Sequence, residues 1–301
     1  MTTPTATVGG FTEPAARAVL AAACRRSGLD PAGAELLRGR THAVFLLRAA
    51  GVVAKVARAG TPYAEVRRTV RLVRWLQARG FPTVQLLPGT QPVPAAGGHA
   101  VTFWEYLPQP EHPVPAALLA RPLRSLHRLP APPFGVRPPD TVGAIGRSLA
   151  ATSVLRPAES TFLHGRLADL AGRLASLSYP LPPGLLQGDP QHRNALHHAG
   201  AAVLCDWDTV CFGPPELDCV TVEIHCRRFG HGSGHYREFA ERYGFDVTAW
   251  SGYPVLRDLR ELRMITTNAK RAAPGSDALA EVRHRIDGLR RGRSETAWNI
   301  L

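Results

Sequence analysis

Leu185 to Val210 reads LLQGDPQHRNALHHAGAAVLCDWDTV, with three aspartates and an asparagine set between short apolar runs. Asp189 and Asn194 are five residues apart across a polar loop, and Asp206 closes the apolar run AAVL twelve residues later. Such a set offers a base for one hydroxyl, a neutral oxygen ligand and an anionic ligand, which together suit magnesium and phosphoryl transfer. Magnesium prefers hard oxygen donors, and an asparagine carbonyl and an aspartate supply them. The competing reading is a pair of strands joined by polar turns, and the rest of the chain has to choose between the two.

Upstream, Glu13 to Ser27 has the composition of a helix. Ala43 to Arg48 and Val52 to Arg58, separated by Ala49, Ala50 and Gly51, read as a β-hairpin. Pro62 then opens AEVRRTVRLVRWLQARG, where Val66, Val70, Val73 and Leu76 recur at helical spacing and Gly80 supplies the stop. Further strands are expected at Gln85 to Leu87 and Ala100 to Trp104, before the proline-marked connector EYLPQPEHPVP. Beyond it helical patterns dominate: LLARPLRSLHRL, FLHGRLADLAGRLASL, then 215–228, 235–243, 254–273 and 277–291. Short strands are expected at Leu185 to Leu186, Ala195 to Leu196 and Ala201 to Cys205. The expectation is an α+β, bilobal chain: a small β-rich lobe over 1–107 with an N-terminal helical extension, and a larger mainly α-helical lobe over 108–301.

At 301 residues the chain can bury a sizeable core, and no uninterrupted apolar run is long enough for a membrane span. The opening MTTPTATVGGFTEPAARAV lacks a basic start followed by an apolar segment, so no secretion signal is expected and the cytoplasm is the default. The formal net charge of +12 comes almost wholly from arginine, since Lys55 and Lys270 are the only lysines. Those arginines are scattered, with no RNA-recognition aromatics and no helix-turn-helix, so nucleic acid is not the expected partner. Cys24, Cys205, Cys211, Cys219 and Cys226 include no Cys-x-x-Cys pair and read as reduced core thiols rather than zinc ligands.

G-D-x-x-x-x-N followed by an apolar strand and D-W-D resembles the catalytic core of the aminoglycoside phosphotransferase family, which shares the bilobal protein-kinase-like fold. The resemblance implies that Asp189 accepts the proton of the substrate hydroxyl, while Asn194 and Asp206 hold Mg2+ on the triphosphate of ATP or GTP. It extends to VVAKVAR, where Lys55 matches the family's strand lysine on the α- and β-phosphates. An ammonium meets phosphates as a point charge, so this lysine is informative in a chain that otherwise uses arginine. The resemblance also implies a glutamate partner on the next helix. Glu65 is its only acidic residue, although alignment on RWLQARG places the partner nearer Thr69, one turn on along the same face. LLRGRTHAVFLL, with Gly39 its sole glycine, matches the turn that covers the nucleotide, and VTFWEYLPQ matches the hinge, with Glu105, Tyr106 and Leu107 beside the purine. In CFGPPELDCV, Asp218 reads as structural. One residue departs from the pattern: Gln187 stands where the family usually has histidine two residues before the catalytic aspartate. Glutamine keeps both a donor and an acceptor.

AVLCDWDTV also fits the haloacid-dehalogenase pattern D-x-D-x-T, in which Asp206 is a phosphorylated nucleophile and Asp208 an acid/base. That chemistry needs a later lysine and acidic pair in a parallel α/β sheet, whereas only Lys270 follows and the tail reads as helical. The same motifs would also suit a nucleotide-binding pseudokinase or a kinase of peptide Ser/Thr. The acceptor site is expected on EIHCRRFGHGSGHYREF and LRDLRELRM, with Asp258 and Glu261 as candidate contacts, although salt bridges to nearby arginines explain both equally. The positive charge of the chain repels a polycation. A neutral or mildly charged hydroxylated small molecule, such as a sugar, nucleoside or antibiotic-like metabolite, is therefore the expected acceptor, in resistance or biosynthesis.

Overall fold

The structure, a computed structural model, describes residues 7–8, 10–39 and 41–301. Residues 1–6 and 9 of the N-terminal stretch read for a secretion signal, and Arg40 of the expected covering turn, lie outside the described residues. Two compact units emerge, one of residues 1–112 with 196–208, the other of 113–195 with 209–301.

In the first unit, β1 (Thr7–Val8) and β2 (Phe11–Thr12) form a short antiparallel pair ahead of α1 (Glu13–Ser27). Thr12 caps that helix by accepting from the Ala15 amide, and Gly28, at φ 66°, ends it in the left-handed conformation that glycine adopts without strain. Ala16, Val19, Leu20, Ala23 and Cys24 make its buried stripe at helical spacing. That stripe joins one core with the sheet residues Phe45, Leu47, Val52, Ala54, Val56, Val101 and Phe103. The sheet contains β3 (Glu35–Arg38), β4 (Ala43–Leu47), β5 (Val52–Val56), β6 (Val93–Pro94) and β7 (Ala100–Glu105), in the antiparallel order β3-β4-β5-β7-β6. Between β5 and β6 runs α2 (Tyr63–Gln77), with Val70, Leu72, Val73, Trp75 and Leu76 buried.

The expected hairpin over residues 43–58 forms as β4 and β5. The strand expected at Gln85 to Leu87 is an extended stretch that pairs with β7 through the Leu87 amide on Phe103 O (3.0 Å) and the Glu105 amide on Gln85 O (2.9 Å), without becoming a regular strand.

The second unit begins with α3 (Ala116–His127), α4 (Thr141–Ala150) and α5 (Pro157–Leu174). A small ladder follows in which β8 (Gly184–Leu186) pairs antiparallel with a later strand. The chain next makes the hairpin β9 (Ala195–His198) and β10 (Ala201–Leu204), turning through Ala199 (φ 49°) and Gly200 (φ 75°), two consecutive left-handed residues suited to a tight hairpin turn. The partner of β8 is β11 (Cys211–Gly213). It leads into α6 (Glu216–Arg228), α7 (Ser233–Tyr243), α8 (Tyr253–Arg271) and α9 (Asp277–Arg290). The core of this unit gathers Ile145 and Leu149 of α4, Leu163 and Leu170 of α5, Leu259, Leu262 and Ile265 of α8, and Val282 and Ile286 of α9. Among the described residues no helix is long and apolar enough to cross a membrane.

Residues 196–208, grouped by sequence with the second lobe, pack with the first unit. Trp207 is the reason: only 1% exposed, it packs edge-on to Phe81 and donates from Nε1 to Thr83 Oγ1 at 2.8 Å. Leu204 adds backbone bonds from its amide to Pro82 O (3.0 Å) and from the Val84 amide to its own carbonyl (3.2 Å).

Candidate active site

Two sets of charged side chains stand out, one in each unit. In the first, β5 alternates its residues so that Val52, Ala54 and Val56 enter the core while Lys55 takes the other face. Lys55 Nζ lies 2.9 Å from Asp206 Oδ1 and 2.7 Å from Asp208 Oδ2, so residues more than 150 apart in sequence meet. Asp206 adopts φ 58°, a left-handed conformation that a non-glycine residue takes only under local constraint. His42 completes the set. Its Nδ1 accepts from the Arg58 amide (3.1 Å), which leaves Nε2 protonated to donate to Asp208 Oδ2 at 2.8 Å. Burial opposes charge on Asp208, but Lys55 and His42 outweigh it and hold the carboxyl well below the ordinary range. Burial likewise opposes charge on Lys55, and the two aspartates overcome it, raising the ammonium's pKa. Cys205 beside them is an inert thiol, its pKa pushed up to about 12 by burial and then by Asp206.

Glu65, expected to pair with Lys55, does not reach it. It occupies the first turn of α2, where the helix dipole favours an acid, and its carboxylate, 48% exposed, lies 3.6 Å from Arg68. Asp208, which the sequence left without a role, takes that place. At the expected hinge the Glu105 and Tyr106 amides are engaged inside the fold, by Gln85 O and Gly51 O (both 2.9 Å). The Leu107 amide has no hydrogen-bond partner among the described residues, which leaves it available to a purine. Gly39 is half-buried in the β3–β4 connection.

In the second unit, Asp189 follows β8 on a loop that is braced throughout. Gln187, fully buried, accepts the Asp189 amide on Oε1 at 2.6 Å. Asp218 accepts the Gln187 and Gly188 amides (2.8 and 2.9 Å), and His127 Nε2 lies 3.0 Å from it. The expectation that Asp218 is structural matches this geometry. Gly188 is required here: at φ 82°, a Cβ would lie 2.2 Å from Thr209 O. Asn194 turns its Nδ2 to Asp189, on the backbone carbonyl (2.9 Å) and on Oδ2 (3.1 Å), and Gln191 Nε2 reaches the same Oδ2 at 2.7 Å. Asp189 Oδ1 is ion-paired with Arg260 of α8.

Asp258 and Glu261, expected to contact the acceptor, are instead enclosed in ion pairs. Glu261, 1% exposed, takes Arg228 Nε and Nη2 (both 2.8 Å) and Arg227 Nη2 (3.0 Å), while Asp258 takes Arg166 and Arg257. Their partners lie on α5 and α6 as well as on α8, so helix spacing alone does not reveal them. Sequence reasoning also passes over Arg260 and His42. Arg260 lies inside LRDLRELRM, but nothing in the spacing separates it from its neighbours.

Asp206 of the first unit offers carboxylate oxygens, and Asn194 of the second, its nitrogen engaged, presents a carbonyl oxygen. Neither is a soft ligand, which fits magnesium. The phosphatase reading fails on the fold, because the strand that leads to Asp206 is one arm of a hairpin and not the central strand of a parallel sheet.

The sequence profile of the phosphotransferase enzyme family matches residues 33–259. No curated protein matches the chain. Among solved structures, amicoumacin kinase in complex with AMP-PNP and Ca2+ aligns with TM-score 0.71 at 14% identity, over 95% of this chain and 98% of that one. A choline/ethanolamine kinase family protein from Mesorhizobium loti aligns with TM-score 0.66 at 19% identity, over 92% and 93% of the two chains. A microcompartment-associated aminopropanol kinase gives 0.66 at 17% identity, over 88% and 95%. At such identities the likeness is one of fold, and the fold is protein-kinase-like.

Proposed function

The chain belongs to the phosphotransferase enzyme family and is a phosphotransferase with an alcohol group as acceptor, a kinase; from that premise we propose that it phosphorylates a hydroxylated small molecule, such as a sugar, nucleoside or antibiotic-like metabolite, with Mg-ATP as donor. The AMP-PNP held by amicoumacin kinase supports ATP rather than GTP.

The observation that carries this reading is the ion cluster in which Lys55 meets both aspartates of D-W-D at 2.9 and 2.7 Å. A strand lysine beside metal-binding carboxylates suits a triphosphate, whose charge draws the ammonium to the phosphates. Asp206 and Asn194 would hold magnesium, which supplies charge neutralisation to the transferring phosphoryl group. Asp189 accepts the hydroxyl proton. The acceptor oxygen then bonds to the γ-phosphorus, the bond from that phosphorus to the β–γ bridging oxygen breaks, and ADP leaves with the electron pair. The amide bonds that fix Gln187, Gly188 and Asp189 keep the base from wandering, and holding the reactants in place supplies much of the rate in such chemistry. The Leu107 amide serves the purine, and Gly39 lies in the turn over the nucleotide.

Asp189→Ala is the test. ADP release should fall by about 10²–10⁴-fold, the range for loss of a general base. Mg-ATP binding by calorimetry should stay within about threefold of wild type, because the variant leaves Lys55 and Asp206 intact. Wild-type turnover in this variant sinks the assignment. A wild-type protein that binds Mg-ATP and releases no ADP with any hydroxylated compound points to the pseudokinase instead.

A further inference from the structure

Three acids of α6 and α8 are already matched by arginines: Glu223 and Glu261 by Arg227 and Arg228, Asp258 by Arg166 and Arg257. Two arginines of α8 remain on the Asp189 side. Arg260 is bound to Asp189 Oδ1, yet its Nε is buried with no hydrogen-bond partner. Arg263, three residues on and so on the same helix face, has no side-chain hydrogen bond or ion pair among the described residues. Its surroundings do little to compensate it. Asp140 is 58% exposed and committed to Arg147 at 2.7 Å, while burial keeps the Cys211 thiol neutral, with a pKa pushed up to about 12. Burial and then Arg260 lower the pKa of Arg263 itself. The same field is felt at His225, whose pKa is lowered first by burial and then by Arg260, His192, His231 and Arg193. Two guanidiniums thus share one carboxylate, and that carboxylate is the proposed base.

We propose that the acceptor carries, besides the hydroxyl that is phosphorylated, an anionic group, a carboxylate or a phosphate monoester, and that Arg260 and Arg263 receive it. This rests on the kinase reading of Asp189. A guanidinium fork matches either anion in two parallel hydrogen bonds, and half-buried cations with one anion between them gain most from a second. A cationic acceptor meets two positive charges, and a neutral one leaves Arg263 uncompensated. The arrangement also couples binding to chemistry. The acid of the acceptor competes for Arg260, and as Arg260 leaves Oδ1 that oxygen becomes open to the hydroxyl proton.

The test uses the full chain with Mg-ATP and three matched classes of probe: glucose, glucosamine, and the anionic pair gluconate and glucose 1-phosphate. ADP release should be fastest with one of the anions, and the better of the two tells carboxylate from phosphate recognition. Arg263→Gln should lower kcat/KM for that anion by about 10–100-fold, mostly through KM, and by clearly more than for glucose; Arg263→Lys should restore part of the loss. Preference for glucose or glucosamine overturns the proposal, as does an Arg263→Gln variant that slows all classes equally. Calorimetric titration of each probe into the protein saturated with Mg-ADP gives a readout without turnover. Binding of an anion that weakens in Arg263→Gln supports the proposal even if no probe yields ADP, and absence of anion binding overturns it. Failure of the kinase reading has a different signature, since Asp189→Ala would leave ADP release unchanged while anion binding persists.

Discussion

The two sets of charged side chains are built from opposite charge patterns. Around Lys55, one cation is held by two aspartates, one of which also accepts from His42, a nest with a surplus negative charge. Around Asp189, one anion is held by Arg260 with Arg263 near it, a nest with a surplus positive charge. The first attracts cations. The second repels cations and has room in its charge balance for an anion. The contrast explains why a net charge of +12 says little by itself: the arginines of α6 are absorbed by Glu223 and Glu261, while Arg260 and Arg263 stand beside Asp189.

The largest effect is expected from removing the cation of the first nest. Lys55→Met should lower kcat by about 10²–10³-fold, the range for loss of one preorganised charge on a developing anion. It should also cost about 1–3 kcal/mol of stability at pH 7, less than a fully buried pair, because Asp206 and Asp208 are 43% and 36% exposed. The sign with pH is fixed by Asp208. Its carboxyl is held below the unfolded value of about 4, so the pair stabilises above that pH and the contribution is lost as the pH falls further. Denaturant unfolding of the variant should therefore show a shallower acid loss below about pH 4. An unchanged acid limb would mean that Lys55 does not set the charge of Asp208.

The organisation of the chain is legible because its signals are local. Gly28 after a helical stripe, the hairpin over residues 43–58 and the stop at Gly80 each act within a few residues. Lys55, Asp189, Asn194 and Asp206 are legible from motif spacing. What escapes depends on contacts far apart in sequence. Glu65 is the only acid on α2 and so the natural partner for Lys55 on sequence alone, but Asp208 has the shorter path, and no helical period encodes a meeting of residues 153 apart. Glu261 has the spacing of a solvent-facing helix acid, and only the fold closes Arg228 over it. The helix α4 is hidden because its Gly143 and Gly146 weaken the propensity signal, while its cap, Asp140 accepting the Gly143 amide at 3.1 Å, is a single residue in a proline-rich run. The strands β3, β6 and β11 are two to four residues long, too short for a period to declare itself.

A smaller effect should follow from loosening the brace of the second nest while its charges stay in place. Gln187→Ala removes the acceptor of the Asp189 amide and empties a fully buried site, at about 2–3 kcal/mol. Asp218 and Thr209 still hold the neighbouring backbone, so the loop should survive and the loss should fall on kcat more than on KM. Gln187→His, which restores the usual family residue, presents a ring nitrogen as acceptor and should recover most of the loss in both kcat and unfolding midpoint. Equal damage from the two substitutions would show that side-chain shape matters here and hydrogen bonding does not.

The smallest effect probes the surplus positive charge of the second nest without touching its arginines. His225 is buried, stacks on Phe229 with ring centroids 4.9 Å apart, and leaves Nε2 without a partner. Burial, then Arg260 and the neighbouring His192, His231 and Arg193, keep it neutral well below the pH at which an exposed histidine protonates. Below about pH 6.5 the unfolded chain takes up a proton that the folded ring refuses, so folding stability drops as the pH falls, by up to about 1.4 kcal/mol per pH unit for one such group. His225→Phe retains the stack and removes the titration. Melting temperatures measured from about pH 7.5 to about pH 5, spanning the ordinary histidine range, should fall less steeply for the variant than for wild type, with the two curves converging near neutrality. Parallel curves would mean that the ring accepts its proton in the fold, which burial beside Arg260 would not permit.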